Sequence, residues 1–368
     1  MSAAELDHLG IATVDRALIA AACRDAERIY LQPLDKGLSG SLVWRARWKS
    51  RGIMTKDHVL KVGPLHKIER EYRNYSDIAA AIDKSSPHMT WERDEAAGRG
   101  VLRQELVGDE RGVYRSLRAA LTSVGEPDEA EALIDRLYRT RMSAWHYADA
   151  SFTTETAKLS EALDWWTRRV DLPGTVAMVG TDGVESSLSG CLACTFHETA
   201  AAVMALLEVE EEISVGPVHA DLHAQNVLVD EAGQLHLIDF GWTNYKWRAV
   251  DFLMMECSLK FLVSPAHARL EDLLCIERQL EPTLAGEDVD LAPLRRLIYG
   301  AQLSNVAAAT ASVRRNAFES GAVTGPEQYR RGLVALTAGL ASIKNDDFNR
   351  VFLLHSLAFH AREAAQGL

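Results

Sequence analysis

The segment His219-Ala-Asp221-Leu-His-Ala-Gln-Asn226 is followed by a short stretch and then by Asp239-Phe-Gly241. Phosphoryl transfer from a nucleotide needs one carboxylate that orients an attacking hydroxyl and takes its proton. It also needs an amide and a second carboxylate to hold the Mg²⁺ ions that neutralise the transferring group. Asp221 has the first chemistry; Asn226 and Asp239 have the second. His219 opens the segment and joins Asp221 and Asn226 as a candidate catalytic residue. A bare Asp-Phe-Gly is common, but the two segments at this separation form a specific signal.

Both segments need an element that holds them together. Asn226-Val-Leu-Val-Asp230 is a short apolar run ending in the turn Asp230-Glu-Ala-Gly233, and Leu235-His-Leu-Ile238 reads as the return strand. Such a hairpin sets Asn226 and Asp239 at neighbouring strand ends, where both can face one metal site.

On these residues the chain resembles the protein-kinase-like superfamily, and within it the aminoglycoside phosphotransferase and choline kinase branch. That branch often reads H-G-D-L-H-x-x-N. Protein kinases usually carry Lys or Arg where His223 stands, and no Ala-Pro-Glu follows Asp239. Ala220 in place of the usual Gly, and Gln225, depart from the branch pattern without removing a catalytic group. The resemblance implies an α+β, bilobal protein-kinase-like fold, with a small β-rich N-lobe over 1–107 and a large, mostly helical C-lobe over 108–368. It implies ATP and Mg²⁺ as cofactors, Asp221 as catalytic base and a small-molecule hydroxyl as acceptor.

The resemblance continues upstream. Gly37, Ser39, Gly40 and Ser41 form a glycine-rich turn whose N–H groups could face phosphates. Lys61 lies in a β-rich run, where an unpaired ammonium would be costly to bury. In the superfamily this lysine holds the α- and β-phosphates and pairs with a helix glutamate. Glu71 is the first choice for that partner and Glu69 the alternative. The two lie about 200° apart around a helix, so only one can face Lys61. The backbone from Glu105 to Val107 corresponds to the hinge that meets adenine, and Asp251 to the aspartate that braces the catalytic loop.

Three other readings stay open. They are an atypical protein kinase, a noncatalytic nucleotide-binding regulatory module, and an enzyme that transfers AMP rather than phosphate. Trp242, Trp247 and the pair Trp165-Trp166 could bind a cationic amine through their ring faces; the plainer reading makes them core anchors.

The 368 residues suffice for a large core and more than one unit. A net charge of −12 disfavours nucleic acid as a partner and is compatible with a cationic acceptor. No apolar run approaches the ~18 residues of a membrane span. The N-terminus lacks the pattern of a signal peptide, which leads to the expectation of a cytoplasmic protein without a membrane partner. Five cysteines argue against a disulfide framework, and Cys191-Leu-Ala-Cys194 reads as a helix face.

Periodicity predicts helix over 1–29, then strands and one helix to residue 107, and a polar turn at 108–112. Further helices are expected over 114–123, 127–147 and 160–170, a loop over 171–190, and helix over 191–212. Asp251 starts another helix, and the chain is helical beyond Pro265.

Overall fold

The computed structural model describes residues 11–34, 41–82, 87–106, 114–148, 152–179, 196–343 and 348–365. Gly37, Ser39, Gly40, Val107, the turn at 108–112 and both Cys191 and Cys194 lie outside these residues. The chain forms two compact units. The first is Met1–Ser116 with Gln225–Asn244, and the second is Leu117–Ala224 with Tyr245–Leu368. The expected division after residue 107 therefore misses one feature. The hairpin after the segment 219–226 belongs with the strand-rich unit, because its strand Val227–Asp230 pairs antiparallel with Tyr114–Ser116. The class is α+β, with a β-rich first unit and a mostly helical second one.

In the first unit, strands β1 (Arg28–Pro33), β2 (Leu42–Ser50), β3 (Ile53–Met54), β4 (His58–Pro64), β5 (Met89–Asp94) and β6 (Arg99–Glu105) form an antiparallel sheet. Its order is β1-β2-β4-β6-β5, with β3 paired to β2. Alternation along β4 decides what each face does. Leu60 and Val62 point into a core with Trp44, Trp48, Val101 and residues Leu18, Ile19 and Ala22 of helix α1 (Thr13–Ala22). Val59 points the other way, into a cluster with Leu106, Leu228 and Ile238. Lys61 shares the face of Val59.

The expected helix over 1–29 is thus shorter among the described residues. The helix ends at Ala22, Cys23 leaves helical geometry (φ −102°, ψ 49°), Asp25 is left-handed (φ 64°), and β1 follows. Helix α1 is tied to the sheet by Asp15, which is buried and accepts two hydrogen bonds from Arg99 at 2.9 and 2.8 Å.

Helix α2 (Leu65–Asn74) leads from β4 back across the sheet. Ile68 and Glu71, three residues apart, share its buried side. A Cβ on Gly100 of β6 would meet Ile68 Cγ2 at 3.1 Å, so a glycine there lets the helix lie close.

The second unit is built on helices Ala249–Ser258, Gly300–Glu319, Pro326–Ala341 and Arg350–Ala365. The expected helix over 160–170 is broken into Leu159–Ala162 and Asp164–Thr167. Leu172–Val179 is helical where a loop was expected, and the helix Phe196–Leu207 gives way to a strand, Glu210–Val218. That strand pairs antiparallel with Thr153–Lys158. Among the described residues no helix is long and apolar enough to cross a membrane.

Candidate functional site

Lys61 is the centre of the first unit's contribution. Its Nζ lies 2.7 Å from Glu71 Oε2 and 2.7 Å from Asp239 Oδ1. Lys61 and Glu71 are buried, whereas the Asp239 side chain retains 21% of its surface. Of the two candidate glutamates, Glu71 meets the lysine; Glu69 faces outward and accepts from Arg73 at 3.1 Å. The helical angle between them makes the choice exclusive.

Burial disfavours the Lys61 ammonium, but Glu71 and Asp239 outweigh it and hold the amine above the usual lysine range. Burial pushes the Glu71 carboxyl up to about 7; Lys61 opposes this and Asp239 adds to it. One cation serves two carboxylates here, and the more deeply buried carboxylate carries the strain. A further cation beside Asp239 would relieve it.

The hairpin positions Asp239. Ile238 donates its N–H to the Asn226 carbonyl at 3.0 Å, closing the ladder where both candidate metal ligands sit. The turn is locked by Asp230, which accepts the Gln234 N–H at 2.8 Å and meets His236 Nε2 at 3.1 Å. Gln104 of β6 donates to the Leu237 carbonyl at 2.7 Å, tying the hairpin to the sheet. Asp239 itself is left-handed (φ 63°, ψ 69°). A Cβ on Gly241 would meet Asp239 Oδ1 at 3.2 Å. Asn74 of α2 donates to the Gly241 carbonyl at 3.1 Å, and Tyr75 sets its ring edge against Phe240 at 5.5 Å. Ser41 is buried at the start of β2, beside Gly63, where a Cβ would come within 2.6 Å of its Oγ. Glu105 ends β6 opposite His58.

The second unit holds the other part of the motif. Asp251, fully buried in the first turn of Ala249–Ser258, accepts the backbone N–H of His219 at 2.9 Å and of Ala220 at 2.8 Å. Ala220 is left-handed (φ 64°). Beyond it, His223 donates its N–H to the Asp221 carbonyl at 2.9 Å, and its Nε2 lies 3.9 Å from Asp221 Oδ2. Ser258 accepts the Ala224 N–H at 2.8 Å, and Ala224 accepts the Arg118 N–H at 3.0 Å. His219 is fully buried, so it acts as a wall of the loop rather than at the surface.

The family described as Ternary complex associated domain 9 matches residues 160–335. No curated protein sequence matches the chain. Similar solved structures are aminoglycoside phosphotransferases and a choline kinase. One from Ralstonia eutropha, described as an aminoglycoside phosphotransferase, is 15% identical over 95% of this chain and 98% of that one, with a TM-score of 0.49. Aminoglycoside phosphotransferase APH(4)-Ia is 14% identical over 95% and 97%, with a TM-score of 0.48. A choline kinase from Streptococcus pneumoniae is 13% identical over 66% and 75%, with a TM-score of 0.36. These are proteins of the branch that the motifs resemble.

The aromatic residues divide. Trp247 is buried and donates its indole N–H to the Ala322 carbonyl at 3.1 Å. Trp166 is buried against Gly339. The ring faces of the other two already carry cations: Arg70 stands over Trp242 at 4.4 Å and Arg169 over Trp165 at 3.8 Å.

Several positioning residues had no local signal. Gln104, Ser258 and His146, whose Nε2 lies 3.3 Å from Asp251 Oδ2, all act across long sequence separations. An unusual polar residue in an otherwise apolar run, as Ser258 is, is the one hint that sequence could supply.

Proposed function

We propose that the chain is an ATP- and Mg²⁺-dependent phosphotransferase acting on a hydroxyl group of a small molecule. The observation that carries this reading is Lys61 held between Glu71 and Asp239, each at 2.7 Å. A core ion pair needs only one carboxylate. A second, partly exposed carboxylate on a left-handed residue suits a group kept ready for a ligand.

The residues fit the cofactors. Asp239 and Asn226 offer oxygen donors, and a hard cation that keeps part of its water needs few protein ligands. Lys61 would meet the α- and β-phosphates, Ser41 and the glycine turn before it the phosphate oxygens, and the 105–107 backbone the adenine. When bound, Mg²⁺ supplies charge neutralisation at the phosphates.

Asp221 orients the acceptor hydroxyl. The hydroxyl oxygen forms a bond to the γ-phosphorus, the bond from phosphorus to the β–γ bridging oxygen breaks, and ADP leaves. The hydroxyl proton passes to the Asp221 carboxylate. Asp251 keeps the loop in shape by holding two of its N–H groups.

Asp221→Asn tests the reading. Nucleotide affinity should stay within a few fold while turnover falls by about two orders of magnitude or more. Unchanged turnover overturns it. γ-Labelled and α-labelled ATP separate phosphate transfer from AMP transfer. A second reading, with a protein as acceptor or partner, is favoured by the words "ternary complex associated" in the matched family's description. Label appearing on protein alone would select it.

A further inference from the structure

The second unit contains a cavity of about 650 Å³ whose described lining bears cations and no carboxylate. Arg118 and Arg350 line it, together with the polar groups of Thr122, Ser264, Gln302 and Asn349. The Ser264 Oγ is buried without a hydrogen-bond partner, which leaves a donor and acceptor for an occupant. Arg350 is fixed in place by donating to the Ala341 and Ile343 carbonyls at 3.2 and 2.7 Å. The Arg118 guanidinium is half-buried, and no hydrogen bond or ion pair joins it to another described residue.

One lining residue is tied through its backbone to the segment 219–226. Arg118 donates its backbone N–H to Ala224 at 3.0 Å. Three trans peptide steps separate Ala224 from Asp221, so their Cα atoms lie within about 11 Å. A cationic occupant would find no counter-charge among the described lining residues and would face guanidinium groups. An anion would gain charge-assisted hydrogen bonds, which are the strong ones.

We propose that this cavity binds a hydroxylated small molecule bearing a carboxylate or phosphate, held by Arg118. The inference goes beyond the phosphotransferase reading and stands apart from it. Among the described residues, carboxylates gather instead at another place, beside Arg315. A separate cavity of about 700 Å³, lined by Asp128, Glu131, Glu287, Asp288 and Glu319, has the opposite sign.

Calorimetry without nucleotide tests the charge preference, with glucuronate, glucose and glucosamine as size-matched probes on the full chain. Glucuronate should bind at least about tenfold more tightly than glucosamine, with glucose between them or weaker. Arg118→Gln should lose that preference, and Arg118→Lys should keep most of it. Thermal melts of both variants verify the fold. Stronger binding of glucosamine, an unchanged preference in Arg118→Gln, or no measurable glucuronate binding overturns the proposal. Binding of AMP-PNP with Mg²⁺, measured separately, reports on the phosphotransferase reading. Loss of that binding with the glucuronate preference intact would sink the reading and leave the anion site standing.

Discussion

The Asp251 carboxylate accepts the backbone N–H of Ala220 at 2.8 Å, and Ala220 is held at φ 64°. A left-handed alanine costs about 1–2 kcal/mol, a cost glycine avoids. The branch that the motif resembles often has glycine at this position. The brace from Asp251 is what lets alanine stand there.

Ala220→Gly should therefore leave the melting temperature unchanged or raise it, because relief of strain offsets the added freedom of the unfolded chain. Asp251→Ala should lower stability by roughly 2–5 kcal/mol, since it strands buried N–H groups. Denaturant melts of both variants check the pair. A clear loss of stability in Ala220→Gly would contradict the left-handed backbone.

Lys61→Ala should weaken nucleotide binding or slow turnover by about tenfold or more, as removal of a charged partner from a phosphate site does. Glu71→Gln should have a smaller effect, because Asp239 still holds the ammonium. Fluorescent-nucleotide titration and steady-state rates separate the two. Equal, negligible effects would remove Lys61 from the site.

Asp239→Asn should raise the Mg²⁺ concentration needed for half-maximal turnover, or abolish turnover, while the fold persists. An amide lacks the charge that a hard cation prefers. A magnesium titration with a circular dichroism control reads both quantities. An unaltered titration would show that the metal sits elsewhere.

The buried histidines and two buried carboxylates should lose stability in two stages as pH drops from neutral, the raised Glu71 carboxyl acting in the opposite sense over the first stage. His360 and His355 are held below the usual imidazole range, in both cases chiefly by burial. The unfolded chain then binds more protons than the folded one, so stability is lost as pH falls through the imidazole range. Glu256 is opposed by burial, but Arg314 and Lys260 lower it to about 2. Its contribution is present above the ordinary carboxylate value and is lost as pH falls from about 4.5 toward 2. Glu277 is likewise depressed, burial being outweighed by Lys260 and His360. Thermal melts across pH 7 to 3 should show both stages, and His360→Gln should flatten the first.

How much of this could be read in the sequence depended on the distance over which each interaction acts. The placing of Asn226 and Asp239 at neighbouring strand ends was legible because the segment from His219 and its hairpin are continuous in the chain, and the Asp230 turn carries its own chemistry. Lys61 and Glu71 were legible as a strand residue and a helix residue, and helical geometry excluded Glu69. The strand Glu210–Val218 was not legible, because its partner Thr153–Lys158 is remote in sequence and mostly polar. The arginine over the Trp242 ring face was equally invisible, whereas Arg169 over Trp165 lies only four residues along. Arg70 and Trp242 meet only after folding. The helix over 1–29 failed after Ala22, where the turn through Cys23 and Asp25 leaves no mark in apolar periodicity.

The strand-rich unit is not continuous in the chain, and this matters during synthesis. Val59 and Leu106 complete their cluster only with Leu228 and Ile238. At roughly 5–20 residues per second, the stretch from Ser116 to Gln225 takes on the order of ten seconds to emerge from a ribosome. For that interval the nascent sheet presents one apolar face to solvent. A fragment ending at Ser116 would keep that face bare for good, and such a truncation should be recovered as aggregate rather than as a folded nucleotide-binding piece.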